Sequence, residues 1–110
     1  MKLKQTEADW RIYMEHIELD YPAKRRISKK AHIGVVGSGD LEVLLEPANG
    51  NSAHVSIRTS VDGFSEAWKA VLDRFFTTYD GAVRIQINDA GATPGSVQLR
   101  LAQAVEVSEQ

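Results

Sequence analysis

At 110 residues the chain has room for one domain and not for two. Its 43% hydrophobic and 25% charged content describes a folded globule rather than a disordered tail. A formal charge of −2 spread over both signs lacks the basic footprint of a nucleic-acid binder, and zero cysteines exclude disulfides, thiolate metal sites and cysteine nucleophiles.

No apolar run approaches the ~20 residues that cross a bilayer, so no membrane span is expected. The opening "MKLKQTEADWRIYM" has no apolar h-region and no small-residue cleavage site, which points to a cytoplasmic protein. Residues 1–13 read as a polar N-terminal extension with Trp10 as an anchor. Residues 14–110 then form a single domain.

From Ile17 the pattern alternates, with Ile17, Leu19 and Tyr21 on one face and Glu18 and Asp20 on the other. That is a half-buried strand, ended by Pro22. A basic cluster follows: Lys24, Arg25, Arg26, Lys29 and Lys30. It is either a solvated face, or a surface for an acidic partner or for phosphates. Residues 31–36 and 40–46 flank Gly37-Ser38-Gly39 as a hairpin, with Leu41, Val43 and Leu45 on one face of its second arm. Asn49-Gly50 is a further hairpin signal, and the strand after it, 54–60, buries Val55 and Ile57.

After Asp62, an N-cap by its residue type, the period changes. Phe64, Trp68, Leu72, Phe75, Phe76 and Tyr79 recur at helical spacing. "DGAVRIQIND" (80–89) is a turn and a strand with Val83, Ile85 and Ile87 inward. Thr93 and Pro94 start a second helix, in which Val97, Leu101, Ala104 and Val105 share a face. Alternation of Leu99 with Leu101 leaves a strand as the competing reading there. The fold class expected is α+β: a largely antiparallel sheet of about four to five strands with two helices on one face, and not a four-helix bundle.

The chemistry gathers at one turn. Gly34, Gly37 and Gly39 make G-x-x-G-x-G, which is neither the dinucleotide fingerprint nor a Walker loop, since Asp40 stands where a cation would be needed. Ser38 lacks the G-x-S-x-G frame of a nucleophile elbow, and nothing in the spacing of His16, His32 or His54 pairs one with it. Those histidines read as polar residues of strands or their flanks. No metal site is expected, because neither H-E-x-x-H nor a comparable ligand spacing occurs. No catalytic residue is therefore assigned. A serine between two glycines is common turn chemistry, and on that reading the domain is a small interaction module. The same geometry also leaves the hydroxyl accessible to a modifying enzyme.

"GVVGSGDLEVL" (34–44), "TSVDG" (59–63) before the aromatic helix, and "DAGATPG" (89–95) together resemble the malonate decarboxylase acyl carrier (delta subunit) family over about residues 14–107. The resemblance implies that Ser38 carries 2′-(5″-phosphoribosyl)-3′-dephospho-CoA through a phosphodiester bond, with Gly37, Gly39 and Asp40 shaping the turn. It implies acetyl and malonyl groups carried as thioesters between a separate acyl-carrier transferase subunit and decarboxylase subunits. A holo-carrier synthase would modify Ser38, and the chain itself would be a non-catalytic carrier. The citrate lyase carrier bears the same group on a Ser-Ser-Asp type of turn, so it is the more distant likeness. Acyl transfer through a thioester needs a thiol, and a cysteine-free chain has none of its own.

Overall fold

The computed structural model describes residues 15–33, 41–61 and 63–109. In chain order these form β1 (Glu15–Pro22), β2 (Arg25–Arg26), β3 (Ala31–Ile33), β4 (Leu41–Pro47), β5 (Ser52–Thr59), α1 (Ser65–Thr78), β6 (Gly81–Asp89) and α2 (Pro94–Ser108). The α+β expectation holds. Five strands lie in the order β1-β5-β6-β4-β3, and the two-residue β2 pairs with the start of β6. The β1–β5, β6–β4 and β4–β3 ladders are antiparallel, while β5–β6 and β2–β6 are parallel.

Alternation decides which face is covered. Val43, Leu45, Val55, Ile57, Val83, Ile85 and Ile87 are each at most 1% exposed and point to one face. Both helices cover that face: Trp68 and Leu72 of α1 and Val97, Leu101 and Ala104 of α2 join the same core. The parallel β5–β6 pair requires a crossover, and α1 supplies it. Tyr21 fastens α1 to β1, stacking on Phe76 at a centroid distance of 4.2 Å and donating to Asp73 Oδ1 at 2.7 Å.

The second helix is resolved in favour of the helical reading, because Leu99 is 59% exposed while Leu101 is fully buried. Thr93 is its N-cap, as expected, accepting from the Ser96 N–H at 3.2 Å. At α1 the cap position belongs to Phe64, without a side-chain cap, and Asp62 lies outside the described residues.

One expectation is corrected. Asn49-Gly50 does form a turn, with Gly50 at φ +92°, yet β4 and β5 do not pair. Strand β6 inserts between them, and the Ala48 N–H bonds to Ala82 O across its beginning. The turn spans one strand of the sheet instead of closing a two-strand hairpin. Strand β6, with Val83, Ile85 and Ile87 buried, thereby takes the centre, where both neighbours and the helices cover it.

Candidate functional site

Ser38, Gly37, Gly39 and Asp40 fall among residues 34–40, outside the described residues. The strands on either side are described. β3 is one of the two edge strands of the described sheet, and it pairs with β4 through Ala31↔Leu45, His32↔Leu44 and Ile33↔Val43. The arms of the expected hairpin therefore pair as the sequence predicts. In sequence, Ser38 lies five residues from each member of the last pair, Ile33 and Val43.

The first residue of β4 is held firmly. Arg100 Nη1 on α2 donates to Leu41 O at 2.7 Å, and Leu41 is paired with Asp89 at the far end of β6. Covalent geometry keeps Ser38 within about 11 Å of Leu41, since three residues cannot reach farther. Parallel pairing of Thr59 with Asp89 brings the end of β5 to the same place. This end of the sheet is also where α1 and α2 begin.

A cavity of about 310 Å³ opens there. Trp68 and Val71 of α1, Val97 and Pro94 of α2, Ala92 of the preceding loop, and Thr59 with Asp89 of the sheet line it. Phe64, 53% exposed, and Val61 stand at its rim. Asp89 is only 3% exposed, and two bonds orient its carboxylate: Oδ2 accepts the Thr59 hydroxyl and Oδ1 accepts the Ala92 N–H, both at 2.8 Å. A carboxylate has about four acceptor positions, so these bonds leave capacity for a further donor. Sequence reasoning did not find this cavity, because its walls come from residues between 59 and 97 that no short motif joins.

The opposite face of the sheet carries a polar ladder. His54 Nδ1 meets Asp20 Oδ1 at 2.7 Å while its Nε2 meets Glu18 Oε1, and Ser56 donates to Glu18 Oε2 at 2.9 Å. Arg58 Nε donates to Asn88 Oδ1, Asn88 Nδ2 to Glu42 Oε1, and Glu42 pairs with His32. His16 completes the set, against Glu18. All three histidines are therefore polar strand residues with carboxylate partners, in agreement with the sequence reading. The bond to Asp20 raises the His54 pKa above its usual value; burial partly opposes this and the bond to Glu18 adds to it. Burial alone would raise the pKa of Glu18, but Ser56 and His54 outweigh it and hold that pKa low. Bonds from Asn88 and His32 lower the pKa of Glu42. Among the described residues no group of three or more His, Asp or Glu is arranged to hold a metal ion.

Arg25 of the basic cluster has partners within the fold. Arg25 is engaged internally, through Nε to Asp80 and Nη2 to Glu109 Oε2 at 2.8 Å, and its guanidinium lies over the Tyr79 ring. It pairs with Gly81, and the eight-residue rise from Gly81 to Asp89 separates it from the cavity end by roughly 26 Å. No described helix is long and apolar enough to cross a membrane.

A β3–β4 pair at one edge of a sheet that carries two helices on one face defines a small α+β domain rather than a helical bundle. Residues 28–108 match the family described as "Malonate decarboxylase delta subunit (MdcD)". The chain belongs to that family. It is 44% identical over 94 residues to the malonate decarboxylase acyl carrier protein of Azotobacter vinelandii, covering 84% of this chain and 95% of that protein. The Pseudomonas savastanoi pv. phaseolicola protein of the same name is 46% identical over 97 residues, with the same coverage. A chain in the crystal structure of a Pseudomonas malonate decarboxylase hetero-tetramer in complex with malonate superposes with a TM-score of 0.79 at 42% identity, covering 86% of this chain and 98% of that one.

Proposed function

We propose that this chain is the acyl carrier subunit of a malonate decarboxylase complex, with Ser38 esterified to 2′-(5″-phosphoribosyl)-3′-dephospho-CoA. Family membership over residues 28–108, a span that includes Gly37-Ser38-Gly39-Asp40, is the observation that carries this reading. The arm supplies the thiol that holds acetyl and malonyl groups, which a chain without cysteine cannot provide. The residues present suit such a role. The serine stands in the segment joining an edge strand to its neighbour, and the first residue past that segment is anchored to α2 by Arg100.

The chain's own work is positional. The β3–β4 pairing and the Arg100 bond give the tether a rigid base, so each partner active site meets the acyl group at raised effective concentration. Transferase and decarboxylase subunits perform the bond-breaking steps, and a dedicated synthase modifies Ser38 in the cytoplasm.

Intact mass of the protein from its native host tests the assignment. The wild-type chain should be heavier than its sequence by the arm, and Ser38→Ala should have the mass of its sequence alone. An Ala variant that gained the same mass would overturn the site. A wild-type chain at sequence mass, from cells degrading malonate, would overturn the carrier reading.

A further inference from the structure

We infer that the cavity between the starts of α1 and α2 is a docking site for the adenine ring of the tethered arm, holding the nucleoside on the carrier while the thioester end stays free. This rests on the carrier reading above. The cavity volume, about 310 Å³, lies at the small end of the ~300–1,000 Å³ range of small-molecule sites, which suits one heterocycle and not the whole arm.

The walls select among the arm's chemical groups. Phe64, half-exposed at the rim, presents aromatic surface on which a planar heterocycle stacks, while Trp68, 6% exposed, forms part of the wall. Asp89 contributes a buried negative charge with unused acceptor positions. A phosphate or a malonyl carboxylate would meet that charge with repulsion. The pantetheine chain offers no planar ring to stack. Adenine is neutral and planar, and its exocyclic amine is a donor, so it is the group of the arm that satisfies both features. The anionic groups stay at the mouth, where Phe64 and Pro94 mark the beginnings of the two helices.

Chain connectivity permits the reach. Leu41 is directly paired with Asp89, about 5 Å between Cα atoms, and Ser38 lies within about 11 Å of Leu41. In the arm the adenosine follows one phosphoribosyl unit from the serine, so its ring is on the short part of the tether. A short tether gives an effective concentration on the order of mM, enough to fill a site that binds free adenosine only weakly.

The test uses Trp68 as the reporter, with Trp10→Phe as background so that one tryptophan remains. Synthase-treated protein is first checked by intact mass, then compared with apoprotein by Trp68 emission and by nuclear Overhauser contacts between the adenine protons and the Trp68 indole. Expected are loss of Trp68 emission and such contacts in the holoprotein. Both should diminish in holo Ala67→Leu, where a larger side chain on the exposed first turns of α1 crowds the cavity. Holoprotein of the correct mass, with Trp68 emission equal to the apoprotein and no adenine contact, would overturn the inference and leave the carrier reading standing. Absence of the mass gain would count against the carrier reading instead. In that case adenosine titrated into apoprotein decides the cavity: saturable quenching supports a purine site, and a flat titration overturns it.

Discussion

The Thr59 hydroxyl donates to Asp89 Oδ2 at 2.8 Å, joining the ends of two parallel strands inside the molecule. Thr59 is fully buried and Asp89 nearly so, and the Ser60 N–H adds a backbone bond to Asp89 O at 2.9 Å. The floor of the cavity is built on this pair. Thr59→Val keeps the shape and deletes the donor, leaving a buried carboxylate oxygen without its partner. Such a loss costs about 1–3 kcal/mol. Urea unfolding should show a lower midpoint for Thr59→Val and a smaller loss for Thr59→Ser, which retains the hydroxyl. Equal midpoints for the Val variant and wild type would show that the bond contributes nothing.

Gly81 is required by close packing. A Cβ there would stand 2.4 Å from Tyr79 Oη, 2.6 Å from its Cζ and 2.8 Å from Ile27 Cγ1. Tyr79 and Ile27 are both buried, so neither ring nor chain can swing away. Gly81→Ala should destabilise by roughly 1–3 kcal/mol, the usual cost of overpacking a core. Gly95→Ala is the control, since its Cβ would approach nothing nearer than Thr93 Oγ1 at 4.0 Å. Calorimetry should find Gly81→Ala clearly lower in Tm, with Gly95→Ala unchanged or higher. The reverse order would contradict the packing argument.

His54 bridges two strand carboxylates, Asp20 and Glu18, and its pKa is raised. A raised folded pKa means that this group's stabilisation is fully present below the unfolded value of about 6.5. It is lost as pH climbs through the folded value. Glu18 has the opposite sign: its lowered pKa gives stabilisation above the ordinary carboxylate range that fades as pH falls through the folded value. Proton NMR titration should place the His54 midpoint above 6.5, and Asp20→Asn should bring it down. A midpoint that ignored Asp20→Asn would rule out the Asp20 bond as the principal cause of the shift.

Arg25 holds the end of α2 to the turn before β6 through Glu109 and Asp80. Arg25→Ala should speed amide exchange at Ser108 and Glu109. The difference from wild type should shrink in high salt, because the pairs are partly exposed and screened. Exchange unchanged at low salt would return Arg25 to the solvated basic face that the sequence alone suggests.

Much of the local structure is legible from residue order. Alternation names buried side chains of β4, β5 and β6 and the half-buried ones of β1 correctly, because a strand on a one-faced sheet must alternate. The aromatic spacing from Phe64 to Tyr79 and the Thr93-Pro94 start identify both helices for equally local reasons. The motifs around Ser38 carry the family likeness in the residues themselves.

Asn49-Gly50 marks the boundary of that legibility. Its residues dictate a turn, and Gly50 takes the positive φ that a turn of this kind uses. They cannot say whether the flanking strands meet, because that depends on β6, whose pairing begins more than thirty residues later. The two-residue β2 escapes notice for the same reason, existing only where Arg25-Arg26 runs beside Gly81-Ala82. The cavity is the extreme case, assembled from the ends of β5 and β6 and the starts of two helices. Turn chemistry and periodicity are set by neighbours in the chain, whereas strand insertion and cavities arise when distant apolar surfaces are buried together, and only the tertiary structure decides those.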